Sequence, residues 1–224
     1  MKKAMVAVWA VCLGMVCGCG DPMNGPERVS WDGVQGLRAD VERGEVWVYG
    51  SRVTGGLQMD RWRTGESTFR VFREENNGGW AELEARCEEG ESCEVRYEIS
   101  VESQIPVSVD VEEGEIQLFQ LAGDLRVRMG DGEVRAQRLR TERLEVHLQG
   151  GRARLDFEEP PLFLDLKVDD GEVLLLLPAQ RYRCDFDQEG ENLRLNELHC
   201  HGLVDHVIQI EPAEATVRFE FHEK

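Results

Sequence analysis

The chain has 224 residues, enough for one all-β domain of ordinary size, and carries 44 Asp and Glu against 26 Lys and Arg, a formal charge of −18. A surface this acidic repels the nucleic-acid backbone and anionic lipid headgroups alike. That argues against nucleic-acid binding and against holding a membrane by charge alone.

Lys2 and Lys3 form a charged start, and Ala4 to Val16 form an apolar run too short to span a bilayer as a stable helix. Val16-Cys17-Gly18-Cys19 then resembles the bacterial lipobox, with an aliphatic residue at −3, a small one at −1 and the cysteine to be lipidated. Cys17 at −2 departs from the usual small residue there. The resemblance implies cleavage before Cys19 and acylation of its thiol; a plain secretory signal peptide is the alternative. The expected organisation is a signal peptide over 1–18, a tether over 19–28 and a single domain over 29–224. Losing Lys2 and Lys3 leaves 24 basic residues against 44 acidic. The tether, with Pro22, Gly25 and Pro26, reaches only about 25–30 Å from Asp21 to Glu27. The expected location is the bacterial cell envelope, at the outer membrane or a periplasmic face, as an exported membrane-anchored lipoprotein.

Cys12 and Cys17 leave with the signal and Cys19 is the lipidation site, so Cys87, Cys93, Cys184 and Cys200 remain. An even remainder in an oxidising compartment predicts two disulfides, in one of three connectivities. Cys87 and Cys93 flank the tight turn Glu-Glu-Gly-Glu-Ser, and Cys184 and Cys200 lie in the last repeat and the strand after it. Local pairing, 87 with 93 and 184 with 200, is therefore expected.

From Val29 onward the sequence repeats. Leu37-x-Ala39-x-Val41-x-x-Gly44-Glu45-Val46-x-Val48 sets a template of two short alternating strands hinged on a glycine. Gly65-Glu66 and Gly90-Glu91 mark looser units. The template then recurs four times between Pro106 and Pro178, at Gly114, Gly132, Gly151 and Gly171, with steps of 18, 19 and 20 residues. Tyr182-x-Cys184-x-Phe186 leads to a further corner at Gly190. Val207 to Ile210 and Val217 to Phe221 read as two strands capping the end. A fixed period with apolar alternation points to stacked β-repeats. Those units could form an antiparallel meander or a parallel β-solenoid. Parallel stacking sets Asp110 over Arg128 and Arg126 over Glu145, and aligns the apolar columns Val111, Met129, Leu148, Val168 and Ile116, Val134, Ala153, Val173. The solenoid is the expected fold: all-β, with irregular N-terminal rungs and a C-terminal strand cap.

The Gly-Glu corners, the leucine run with Pro and Ala from Leu174 to Ala179, and Tyr182-Arg183-Cys184-Asp185 after it resemble a bacterial adhesin family of unknown function, similar to the head GIN domain. The likeness covers roughly residues 30 to 221. It implies an exported or membrane-tethered β-solenoid and says little about activity. This chain uses Glu where Asp is common after the glycine, and breaks the corner at Gly150-Gly151-Arg152.

Chemistry-bearing groups are sparse. Glu115, Glu133, Glu172 and Glu191 would stack in a column interrupted by Arg152, a solvated acidic edge more than a calcium site. His199 and His201 flank Cys200, with His206 nearby, the one cluster resembling a zinc site. A core disulfide at Cys200 is the preferred expectation, with no metal and no cofactor. No nucleophile elbow, zincin motif or phosphate loop is present. Trp47 and Tyr49 sit at outward positions suited to protein or glycan contact, unless a segment containing Trp31 covers them. In Val173 to Leu177, alternation turns Leu174 and Leu176 outward, where a chain segment or a partner should cover them. The sequence thus predicts a non-catalytic, lipid-anchored binding or scaffold protein, with an envelope protein or glycan as partner. The alternative is an envelope-stress sensing subunit acting through a membrane partner.

Overall fold

The alternating stretches fold almost wholly into strand. The computed structural model describes residues 26–51, 55–65, 68–186, 193–194, 205–213 and 215–222. The signal segment, Cys19, Gly190, Glu191, His199, Cys200 and His201 lie outside them. Among the described residues sixteen strands, β1 to β16, join in one continuous sheet.

The central rungs are parallel. β2 (Gly36–Ser51), β7 (Val107–Phe119) and β8 (Leu125–Leu139) each run through a corner, so one strand supplies both arms of its rung. Later rungs split at the corner, into β9 (Arg143–Leu148) with β10 (Arg152–Phe157), and β11 (Phe163–Val168) with β12 (Glu172–Pro178). The register is unbroken on the first arm, where Val111 faces Met129, Met129 faces Leu148 and Leu148 faces Val168. On the second arm Ile116, Val134, Ala153 and Val173 follow in the same way. All eight side chains are buried, which is the solenoid and not the meander. Alternation fixes this register, because a one-residue slip would turn every apolar side chain to water.

The corners require glycine for a specific reason. At Gly44, Gly114 and Gly132 φ lies between +141° and +146°, and the missing Cβ direction points along the stack into the neighbouring rung. A Cβ on Gly114 would lie 1.8 Å from the carbonyl oxygen of Gly44. Gly151 and Gly171 repeat the arrangement, each against the carbonyl of the preceding corner glycine.

Charged side chains outside the core tie rungs together. Arg126 lies 3.4 Å from Glu145 and Arg128 3.7 Å from Asp110, the pairs that parallel stacking requires. Arg86 reaches Asp40 and Glu112 at 2.7 Å each and so spans three rungs.

The ends depart from chain order. β5 (Trp80–Cys87) and β6 (Glu94–Glu102) lie parallel against the two arms of β2, on the side away from β7. The unit around Gly90 is therefore a rung, but its corner is the loop closed by the Cys87–Cys93 disulfide. The unit around Gly65 is not a rung. β3 (Gly56–Thr64) runs antiparallel to β6, β1 (Glu27–Asp32) antiparallel to β3, and β4 (Phe69–Asn77) antiparallel to β5. Gly65, at φ +71°, stands between antiparallel strands with no corner glycine beside it.

The expected C-terminal cap is likewise corrected. β15 (Val207–Pro212) lies between β11 and β13 (Arg183–Phe186), and β16 (Thr216–His222) between β12 and β14 (Leu193–Arg194). Among the described strands the last pair thus occupies an interior rung, with the preceding pair outside it. β15 and β16 bury Ile208, Ile210, Val217 and Phe219 and have a partner strand on each side, so neither is an open edge.

Candidate functional site

Because the rungs are in register, outward residues of the second arm form straight columns. One runs Trp47, Gln117, Arg135, Arg154, Leu174, Arg218; the next runs Tyr49, Phe119, Gln137 and, across a register shift after Leu155, continues as Asp156, Leu176, Glu220. Trp47, Tyr49, Leu174 and Leu176, far apart in sequence, therefore share two adjacent columns of one face. All four are half-buried.

The N-terminal end of this face is aromatic. The Arg96 guanidinium sits 3.8 Å from the centre of Trp47 and 5.1 Å from that of Trp62, between two rings that attract a cation to their faces. Tyr49 and Phe119 meet edge to face, with centroids 6.5 Å apart, and Arg138 covers Phe119. Trp31 does not cover this group: it pairs with Leu57 and packs on the core side. What lies on Trp47 is Arg96. The Trp47 Nε1, Arg96 Nε and Glu45 Oε2 atoms are buried without an aligned hydrogen bond, although Arg96 and Glu45 approach to 3.5 Å. Phe119 was legible, since it follows its corner glycine at the same offset as Tyr49. Trp62 carried no such signal, because it arrives on an antiparallel strand outside the repeat.

The C-terminal end is basic and apolar. Arg154 and Arg218 flank Leu174, and Asp156 and Glu220 flank Leu176. The C-terminal strand β16 thus lies beside the two leucines, as the next rung, and not over them. A groove of about 220 Å³ opens here, with Arg152, Arg154, Leu174, Arg218, Glu172 and Glu220 in its lining.

The acidic corner column runs Glu45, Glu115, Glu133, with Arg96 before it and Arg152 after it. Its carboxylates are engaged by the neighbouring column: Gln117 donates to Glu115 at 2.7 Å, and Arg135 grips Glu133 through two 2.7 Å bonds. Among the described residues no group of three or more His, Cys, Asp or Glu is placed to hold a metal. His206 packs edge to face on Tyr182, with Nδ1 2.8 Å from the carbonyl oxygen of Pro161. Cys184 is disulfide-bonded, and Cys200, its expected partner, lies outside the described residues.

The first arm's outer face carries a concavity of about 770 Å³ above Gly130, lined by Asp110, Glu112, Asp131, Arg128 and His147. Burial, with Asp40 next to it, raises the Asp110 pKa from its ordinary value despite Arg128. His147 Nε2 lies 3.1 Å from Asp169.

No family model and no curated protein matches the chain. Two solved structures are similar to it. One, described as a "putative cell adhesion protein" from Clostridium sporogenes, overlaps 89% of this chain and 100% of its own at 13% identity and a TM-score of 0.44. The other, a "putative adhesin" from Bacteroides fragilis, overlaps 90% and 99% at 9% identity and a TM-score of 0.45. Overlaps this loose leave the chemistry of the face to be argued from its own residues.

Proposed function

We propose that the protein is a non-catalytic, adhesin-like binding module of the cell envelope, held by acyl chains on Cys19, and that it binds through the outer face of the second arm. One observation supports this most: aromatic, arginine and leucine side chains recur in two adjacent columns across six hydrogen-bonded strands, β2 to β16, roughly 24 Å of face. Rigid aromatic rings and guanidinium groups contribute more per residue to binding than other side chains do. An acidic domain with a short tether would stand close to its membrane, the face turned to whatever lies alongside.

The test is binding of the mature chain to isolated cell envelopes. Tyr49→Ser with Phe119→Ser should weaken it, while Ser108→Asp on the first arm should not. Equal binding by both variants would sink the assignment of the face. Separately, Cys19→Ala should release the protein in soluble form; retention on membranes after a high-salt wash would overturn the lipid anchor.

A further inference from the structure

We infer that the groove between Arg154 and Arg218 binds an acidic β-1,4-linked polysaccharide laid along the stack, with one carboxylate on each guanidinium and a sugar ring over Leu174. The inference rests on the binding role proposed above and names its ligand class.

Many arginines of this acidic chain are neutralised within it: Arg28, Arg43, Arg61, Arg73, Arg86, Arg126, Arg128 and Arg135 each contact a carboxylate. Arg154 and Arg218 are exposed, and among the described residues neither has an ion-pair or hydrogen-bond partner. They are separated by the Leu174 rung, which places their strands about 10 Å apart. That spacing selects the ligand. In a β-1,4-linked uronate chain alternate residues face the same way, so same-side carboxylates recur once per disaccharide, close to two rungs. An extended acidic peptide presents same-side groups about 6.8 Å apart and falls out of step. The apolar Leu174 side chain between the two cations suits the C–H face of the intervening ring, and its lack of charge leaves room for it.

The acids beside the groove narrow the choice further. Glu172 and Glu220 lie in its lining, so a densely charged polyanion would meet repulsion along β12 and β16. A polymer with one same-side carboxylate per two rungs reaches the arginines and avoids the acids. Each guanidinium can hold a carboxylate through two parallel hydrogen bonds.

Calorimetry on the mature protein tests this with a β-1,4-linked hexauronate, its full methyl ester and inorganic polyphosphate. The hexauronate should bind, and the ester and polyphosphate should bind at least tenfold more weakly. Arg154→Gln with Arg218→Gln should lower hexauronate affinity by roughly tenfold or more without changing the melting temperature, because neither side chain has an internal partner. Leu174→Ser should lower it severalfold, and Arg70→Gln, which removes one positive charge on β4, should not. Equal binding of the ester, equal loss in Arg70→Gln, or no hexauronate binding overturns the inference. If the hexauronate fails while isolated envelopes still bind through the second-arm face, only the ligand class is wrong. If both fail, the binding role falls with it.

Discussion

A β-carbon placed on Gly132 would stand 1.9 Å from the carbonyl oxygen of Gly114 in the adjacent rung. Backbone lies against backbone there, and neither can yield without opening the ladder between β7 and β8. Gly132→Ala should therefore cost about 3 kcal/mol or more in urea unfolding. Gly90→Ala meets nothing within 4 Å and has only its positive φ to resist it, so about 1–2 kcal/mol is expected. Similar losses at the two sites would show that the corner tolerates a side chain.

Val134 and Leu148 are fully buried in neighbouring rungs of the core, whereas Gln149, next in sequence, is exposed. Val134→Asp or Leu148→Asp would bury a charge without a partner and should remove several kcal/mol of stability, on the order of 3–5. Gln149→Asp should change it by about 0.5 kcal/mol or less. Thermal melts of the three variants decide between this register and one shifted by a residue.

Asp110 predicts a pH dependence of definite sign. Burial and the neighbouring Asp40 raise its folded pKa, so the folded protein holds this proton more tightly than the unfolded chain does. Its contribution favours folding when protonated and is lost as pH rises through the folded value. Asp110→Asn should thus raise the melting temperature at pH 7, and the gain should vanish at about pH 3, where the wild-type group is protonated in both states. A variant less stable than wild type at pH 7 would mean that the Arg128 contact outweighs burial.

Leu174 and Leu176 are half-buried between the side chains of two flanking rungs. Changing both to serine should lower stability by about 1–2 kcal/mol, and by the same amount at every protein concentration. A loss several times larger would reveal a covering segment of the chain. A loss that depends on concentration would reveal a second copy on this face.

The run from Val107 to Leu177 could be read rung by rung, because alternation and the glycine spacing leave a single register that buries Ile116, Val134, Ala153 and Val173 together. The outward positions of Trp47, Tyr49, Leu174 and Leu176 followed from the same alternation. Their meeting on one face required the stacking itself. Strand order at the ends was not legible: Leu37 to Val48 fits the template equally well at the end of the stack or inside it, and only the long-range partners β5, β6 and β7 decide. Trp62 was hidden for a related reason, since an antiparallel strand reverses the offset by which the repeat could be followed.

The out-of-order strands give the two ends of the stack an unequal response to pulling. Tension entering at the N-terminus first meets β1, bound along one edge to β3, which can be unzipped a bond pair at a time. It then reaches β2, whose hydrogen bonds run to β5 and β6 on one side and β7 on the other. Two ladders must fail together before that strand moves. A chain pulled from its N-terminus would thus spend a short outer strand as slack and come to rest on a clamp.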